Sequence, residues 1–101
     1  MEEVEIFISP FAAQCLQEIY NYYSQVGSDD VAEMVVHNIV EDIEQLRVYP
    51  NLGSNEPVLE LKKFILVYNF KIIFERKTNV IEILDIFHTA QDPEKLPTRN
   101  S

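Results

Sequence analysis

Glycine is scarce in this 101-residue chain, and Gly27 and Gly53 are the only two. A phosphate-binding loop of the glycine-rich type needs several closely spaced glycines, so nucleotide-binding folds of that kind are excluded. The single cysteine, Cys15, cannot form an internal disulfide. Cys15 and the two histidines, His37 and His88, show no metal-ligand spacing. We therefore predict neither a metal site nor a cofactor.

Long hydrophobic runs are absent as well. The longest, Phe64–Tyr68 and Ile72–Phe74, are far shorter than the roughly 18 residues that a membrane span needs. The first residues have neither the basic leader nor the apolar core of an export signal. We therefore expect a soluble protein with no membrane partner, and the unpaired Cys15 favours a reducing cytoplasm.

Basic residues are few. Eight Lys and Arg against seventeen Asp and Glu give a net charge of −9 at pH 7, the opposite of the basic surface expected of a protein that binds nucleic-acid phosphates. Residues 1–60 contain twelve acids and one base, whereas residues 61–101 contain seven bases and five acids. A contact with a polyanion must therefore come from the second half, and the acidity of the first half also fits a role in solubility alone.

The first half of the chain predicts one strand and two helices. Residues 4–8 alternate apolar and polar side chains, which is typical of a strand. Ser9 as N-cap and Pro10 in the first turn begin a helix that Gly27 ends. Its predicted apolar stripe consists of Ala12, Cys15, Leu16, Ile19, Tyr22 or Tyr23, and Val26.

Ser28 and the two aspartates after it begin a second helix, with a capping box from Asp30 to Glu33, and Pro50 ends it just after Tyr49. Its predicted stripe consists of Val31, Met34, Val35, Ile39, Ile43 and Leu46. Because the link between the helices is so short, they form an antiparallel hairpin.

The second half is rich in strand-forming residues. After a loop at Asn51–Pro57, the predicted strands are Val58–Val67, Phe70–Arg76 and Val80–His88, with a hairpin turn at Lys77–Asn79. Tyr68 and Asn69 fit either a turn or an irregularity within a strand. Residues 89–101 fit either a short helix near Asp92–Leu96 or a loose tail.

This order predicts a single α+β domain over residues 1–101. Its composition, 47% apolar and 25% charged, is that of a globular protein. The N-terminal strand and the two-helix antiparallel hairpin are followed by a three-stranded antiparallel sheet, and the hairpin covers one face of a mainly antiparallel sheet.

Two groups of residues suggest chemistry. Lys62, Lys63, Lys71, Arg76 and Lys77 lie on or beside three consecutive strands, where they form either a basic strip or ordinary solvated charges. His88 follows an apolar strand and has the unperturbed pKa best suited to proton transfer near neutrality, although a lone histidine at a strand end is more often structural. Cys15 falls on an apolar helix stripe, which favours a buried thiol over a nucleophile.

Four segments of the chain, in this order and spacing, resemble the RelE/ParE superfamily of toxins from bacterial type II toxin–antitoxin modules, also described as plasmid stabilisation proteins. They are residues 6–23, residues 31–53, the strand pair 70–88 and the closing His-Thr-Ala-Gln-Asp-Pro at 88–93. The resemblance implies a helical hairpin on an antiparallel sheet and a small cognate antitoxin as partner.

The sequence departs from the family pattern at two points. Family members commonly carry Tyr-Arg where this chain has Phe70-Lys71, and many carry an arginine where it has Gln91. Lysine lacks the bidentate fork of arginine, and glutamine carries no charge. The resemblance therefore implies a ParE-like toxin that inhibits DNA gyrase by protein–protein binding, with no catalytic residue favoured.

The alternative that the resemblance implies is a RelE-like ribosome-dependent mRNA endoribonuclease. The ribosome and mRNA would then be the partners, and His88 would act as acid or base. The phosphate-holding groups would be Lys62, Lys63, Lys71 and Arg76. A third reading is an inactivated relative that acts only as a binding module.

Overall fold

The computed structural model of the chain describes residues 4–56 and 62–89. In chain order the elements are strand β1 (Glu5–Ile8), helix α1 (Pro10–Val26), helix α2 (Asp29–Val48), and strands β2 (Ser54–Asn55), β3 (Lys63–Val67), β4 (Phe70–Arg76) and β5 (Val80–His88). The α+β class, the helical hairpin and the three late strands are confirmed. The predicted strand start at Val58 and the tail beyond Thr89 lie outside the described residues.

The sheet is mixed and has five strands in the order β1-β5-β4-β3-β2, rather than a separate N-terminal strand and three antiparallel strands. β1 pairs in parallel with β5, Glu5 opposite Val80 and Ile8 opposite Ile83, and the other pairs are antiparallel. The chain between β1 and β5 contains both helices, which gives the long connection that parallel pairing requires. The added strand β2 falls within the predicted loop.

Both helices begin at serine caps. The Ser9 hydroxyl accepts a hydrogen bond from the backbone N–H of Ala12 at 3.1 Å, and Pro10 occupies the first turn as predicted. In α2 the Ser28 hydroxyl accepts from the N–H of Val31 at 3.2 Å. Asp30 therefore lies in the first turn of the helix and not at the cap. There the positive end of the helix dipole stabilises the negative charges of Asp29 and Asp30.

The helices cover one face of the sheet, which we call the helix face. Its core combines apolar side chains of both helices and of the three central strands; the fully buried ones are Ala12, Ile39, Ile43, Leu46, Ile72, Phe74, Ile81 and Ile83. Val26, Val31 and Met34, which were predicted to be buried, are exposed. Of the alternatives Tyr22 and Tyr23, it is Tyr23 that packs against the core. Ala32 is buried in place of Val31. Each residue is rotated by about 100° around the helix axis from the one before it, so a shift of one position changes the face on which a side chain lies.

The sheet also has an apolar cluster on its other face, which we call the second face. Ile73 and Phe87 are buried there, and Phe64 and Leu84 pack against them. Successive side chains of a strand point to opposite faces. Along β4 and β5, residues of this cluster therefore alternate with residues that belong to the core of the helix face. A register shift between Ile73 and Phe74 interrupts the pairing of β4 with β5.

Tyr68 and Asn69 form the turn between β3 and β4, which decides between the two predicted alternatives. Tyr68 has a φ of 55°, and its hydroxyl accepts a hydrogen bond from Asn38 of α2.

Gly53 has a φ of 103°, and a Cβ there would lie 2.9 Å from the Phe64 carbonyl oxygen, so only glycine fits. Neither helix is long and apolar enough to cross a membrane.

We expect Ile39→Ala and Ile72→Ala each to lower the free energy of unfolding by about 2–5 kcal/mol, because both side chains are fully buried. Leu16→Ala should cost less, since Leu16 is only partly buried. Urea denaturation measures all three, with exposed Val26→Ala as the control, expected within about 0.5 kcal/mol of the parent. A loss below about 1 kcal/mol at both isoleucines would contradict this packing.

Candidate functional site

The pleat of the sheet divides the predicted basic strip between the two faces. In β4, Phe70, Ile72 and Phe74 belong to the core of the helix face, so Lys71 lies on the second face and Arg76 on the helix face.

In β3, Phe64 packs into the second cluster, so Lys63 faces the helices. Lys62 reaches Glu75 on the second face. The sequence neighbours Lys62 and Lys63 are therefore separated by the sheet.

Lys71 forms the most buried ion pair of the described residues. Its Nζ lies 2.6 Å from Oε2 of Glu56, whose side chain is 0% exposed, while the Lys71 side chain is 19% exposed. The same Nζ lies 4.3 Å from the centroid of the Phe64 ring, within the range of a cation–π contact. The ammonium is thus held between a buried carboxylate and an aromatic face.

Three other bases are also held by partners. Lys62 lies 3.2 Å from Glu75, and Lys77, at the hairpin turn, lies 3.3 Å from Glu82. Arg76 donates a hydrogen bond from Nη1 to the side-chain oxygen of Asn51 at 2.7 Å. Lys63 is half-buried at the start of β3.

His88 lies on the helix face, at the end of β5. Its ring packs edge-on against Phe70, with centroids 5.4 Å apart and planes at 85°. It lines a cleft of about 420 Å³ together with residues of α1, β4 and β5; the others are Cys15, Glu18, Ile19, Tyr22, Tyr23, Phe70, Ile86 and Phe87. We call this the aromatic cleft. Lys71 is not among its lining residues.

Cys15 is buried, as predicted, and its thiol donates to Oδ1 of Asp85 at 3.6 Å. Asp85 is 1% exposed, a buried carboxylate that we did not predict. Its signal in the sequence is an acid inside the apolar strand Val80–His88, but Glu82 in the same strand is not buried. Among the residues that the structure describes, no group of three or more His, Cys, Asp or Glu could hold a metal ion.

A groove between α2 and β3, the α2 groove, is a feature that sequence reasoning missed. Asp42 and Gln45 of α2 face the chain before β2 and one side of β3 across a volume of about 360 Å³; the other lining residues are Leu52, Gly53, Ser54, Phe64, Ile65 and Leu66. Leu66 is 59% exposed, and Leu52 and Tyr68 nearby are also exposed.

The edge of β3 beside this groove is open over half its length. In the described part of the chain, β2 pairs only with Lys63 and Phe64. An exposed apolar patch next to an unpaired strand edge is typical of a protein-binding surface.

The helical hairpin has a negative surface near its turn. Partial desolvation raises the pKa of the Tyr20 phenol above its usual value, and Asp29, Glu33 and Asp30 raise it further. In α2, six acids face a single base, Arg47, which pairs with Glu44. Polyanions are therefore repelled from this side of the molecule.

The model for the family described as ParE toxin of type II toxin–antitoxin system, parDE, matches residues 6–93. Among solved structures, the chromosomal ParDE toxin–antitoxin system from P. aeruginosa is similar with a TM-score of 0.76 and 25% identity, over 85% of this chain and 96% of that chain. The toxin–antitoxin complex RelBE2 from Mycobacterium tuberculosis has a TM-score of 0.66 and 14% identity, over 90% and 97%, a likeness of fold. No curated protein matches. These matches confirm the resemblance seen in the sequence.

We predict that Lys71→Met lowers the free energy of unfolding by about 3 kcal/mol, because it removes the ammonium beside the buried carboxylate of Glu56 while keeping an apolar contact to Phe64. Lys77→Met is the matched control. Lys77 is 59% exposed, so its loss should cost less than about 1 kcal/mol. Equal effects of the two variants in urea denaturation would contradict the special role of the Glu56 pair.

Proposed function

The chain belongs to the ParE toxin family of type II toxin–antitoxin systems, and from that membership we propose that it inhibits DNA gyrase by protein–protein contact in the cytoplasm. A small cognate antitoxin neutralises it. One observation carries the choice of a protein target over RNA. The residues that a ribonuclease would need are divided between the two faces of the sheet, and the bases on the second face are each paired with a carboxylate.

A ribonuclease must bring its phosphate-holding bases and its proton-transfer group to the same scissile bond, each within hydrogen-bond reach. Here His88 lines the aromatic cleft on the helix face, whereas Lys71 lies on the second face. The strand backbone separates the two side chains. This arrangement supports binding without catalysis, so we name no catalytic residue.

The electrostatics point to the same class of target. A net charge of −9 and a negative helical hairpin disfavour contact with RNA phosphates. They leave apolar and neutral surfaces, such as the α2 groove, for contact with proteins. Gyrase as the particular target comes from the ParE-like character of the sequence.

We place the antitoxin in the α2 groove. The apolar floor suits the apolar side of a helix or strand, and the free edge of β3 offers backbone groups for strand addition. The rim residue Asp42 and the acidic surface of α2 favour a binding segment that is less acidic than this chain, since an acidic partner would be repelled. The two similar structures are toxin–antitoxin assemblies, which supports such a partner.

The gyrase proposal predicts that purified protein blocks supercoiling of relaxed DNA by gyrase. Expression without the antitoxin should induce a DNA-damage response and leave mRNA uncut. Because neither Lys71 nor His88 is a catalytic group in this proposal, Lys71→Ala and His88→Ala variants that remain folded should cleave no RNA, as the parent cleaves none.

Ribosome-dependent mRNA cleavage that falls about 100-fold or more in these two variants, with supercoiling unaffected, would establish the ribonuclease alternative instead. Absence of both activities, with the antitoxin complex intact, would identify an inactivated relative that acts only as a binding module.

The antitoxin proposal predicts that Leu52→Glu weakens the complex with the small protein encoded beside the toxin by about 30-fold or more, because it places a charge in the lining of the α2 groove. Isothermal titration of the purified pair measures the affinity. Val26→Glu, also exposed but outside the groove, is the control and should change the affinity less than about threefold. Equal losses in both variants would refute the placement.

A further inference from the structure

The second face of the sheet carries two lysines, each held by a glutamate. We propose that Glu56 and Glu75 prevent this face from binding nucleic acid, and that Lys71 and Lys62 form a latent site for the phosphodiester groups of a single strand. This inference goes beyond the proposed function, because it concerns what the face is kept from binding. It does not depend on which protein the toxin inhibits.

The geometry around Lys71 is that of an occupied anion site. Its Nζ lies 2.6 Å from Oε2 of Glu56, the distance at which an ammonium would otherwise hold a phosphate oxygen. The Glu56 side chain is fully buried, so its carboxylate cannot move out into water to release the lysine. A phosphate would have to approach this buried negative charge, and at low dielectric that repulsion is strong.

Lys62 repeats the arrangement nearer the other end of β4. Its Nζ lies 3.2 Å from Glu75, and both side chains are about a quarter exposed. Glu75 follows Lys71 by four residues along β4, about 13 Å. The two lysines are therefore far enough apart to contact different phosphates of one strand.

Aromatic and apolar side chains lie beside the two ion pairs. Phe64 is half-buried and faces the Lys71 ammonium. Phe87 stands opposite Lys71 across the β4–β5 pair and is buried, so it supports the face and offers no ring to a base. Basic groups beside a partly exposed aromatic ring are a combination that binds single-stranded nucleic acid, because a base stacks on the ring while the lysines hold the backbone. What this face lacks is net positive charge, because the two carboxylates cancel the two ammonium groups.

The experiment compares the parent protein with Glu56→Gln, Glu75→Gln and the double variant. Fluorescence anisotropy of a short fluorescein-labelled single-stranded RNA, and of the DNA of the same sequence, gives the affinities between about 50 and 200 mM salt. Glu44→Gln is the matched control, because it removes the same charge but releases Arg47 of α2, away from the second face. In the second control, Glu56→Gln is combined with Lys71→Gln.

We expect the double variant to bind RNA about tenfold or more tightly than the parent, with a salt slope steeper by about 0.7 for each released lysine. Glu44→Gln should change the affinity less than about twofold, and adding Lys71→Gln to Glu56→Gln should abolish the gain of the latter. Equal affinities for RNA and DNA would assign the gain to the phosphates alone, and a preference for RNA would assign part of it to the sugar; both support the site.

A double variant that is folded by circular dichroism but binds no more tightly than Glu44→Gln would overturn the proposal. If Glu56→Gln does not fold, Glu75→Gln decides alone, because its ion pair is partly exposed and its loss should leave the fold intact. A parent protein that already binds as tightly as the double variant would also overturn it.

Discussion

The pleat of a β-sheet that is covered by helices on one face is the constraint on which the rest of this structure depends. Side chains of β4 alternate between the two faces, so Phe70 and Ile72 join the core under the helices while Lys71 points away from it. No side-chain motion can carry a group through the sheet. Residues can therefore act together only if their side chains lie on the same face, which alternates from one position of a strand to the next. Closeness in sequence does not bring them together.

This constraint explains why the second face carries so little net charge. Ile73 and Phe87 make that face apolar near its centre, and a lysine beside them would lose much of its hydration. The ion pair with Glu56 offsets that loss of hydration, and the cation–π contact with Phe64 offsets more of it. Buried charges of opposite sign fix each other in place, so the neutrality of this face is a consequence of its packing.

The sequence predicted what local signals determine and missed what distant contacts determine. Ser9, Pro10 and Gly27 act on their own backbone neighbours, so the limits of α1 could be read directly. The pairing of β1 with β5 joins residues more than seventy positions apart, and no local pattern specifies it. Lys71 falls on a predicted strand, but its partner Glu56 lies in the loop segment before β3, where no periodicity indicates burial.

Fold similarity alone does not identify the target, since this chain superposes on both a ParDE system and a RelBE2 complex. Two features of the side chains bear on the choice. His88 lies on the helix face and Lys71 on the second face, and carboxylates hold Lys62 and Lys71. The exposed apolar residues of the α2 groove form a surface that no ribonuclease chemistry requires. A surface of this kind has value to the cell only if another protein covers it, because an uncovered apolar groove beside a free strand edge promotes aggregation.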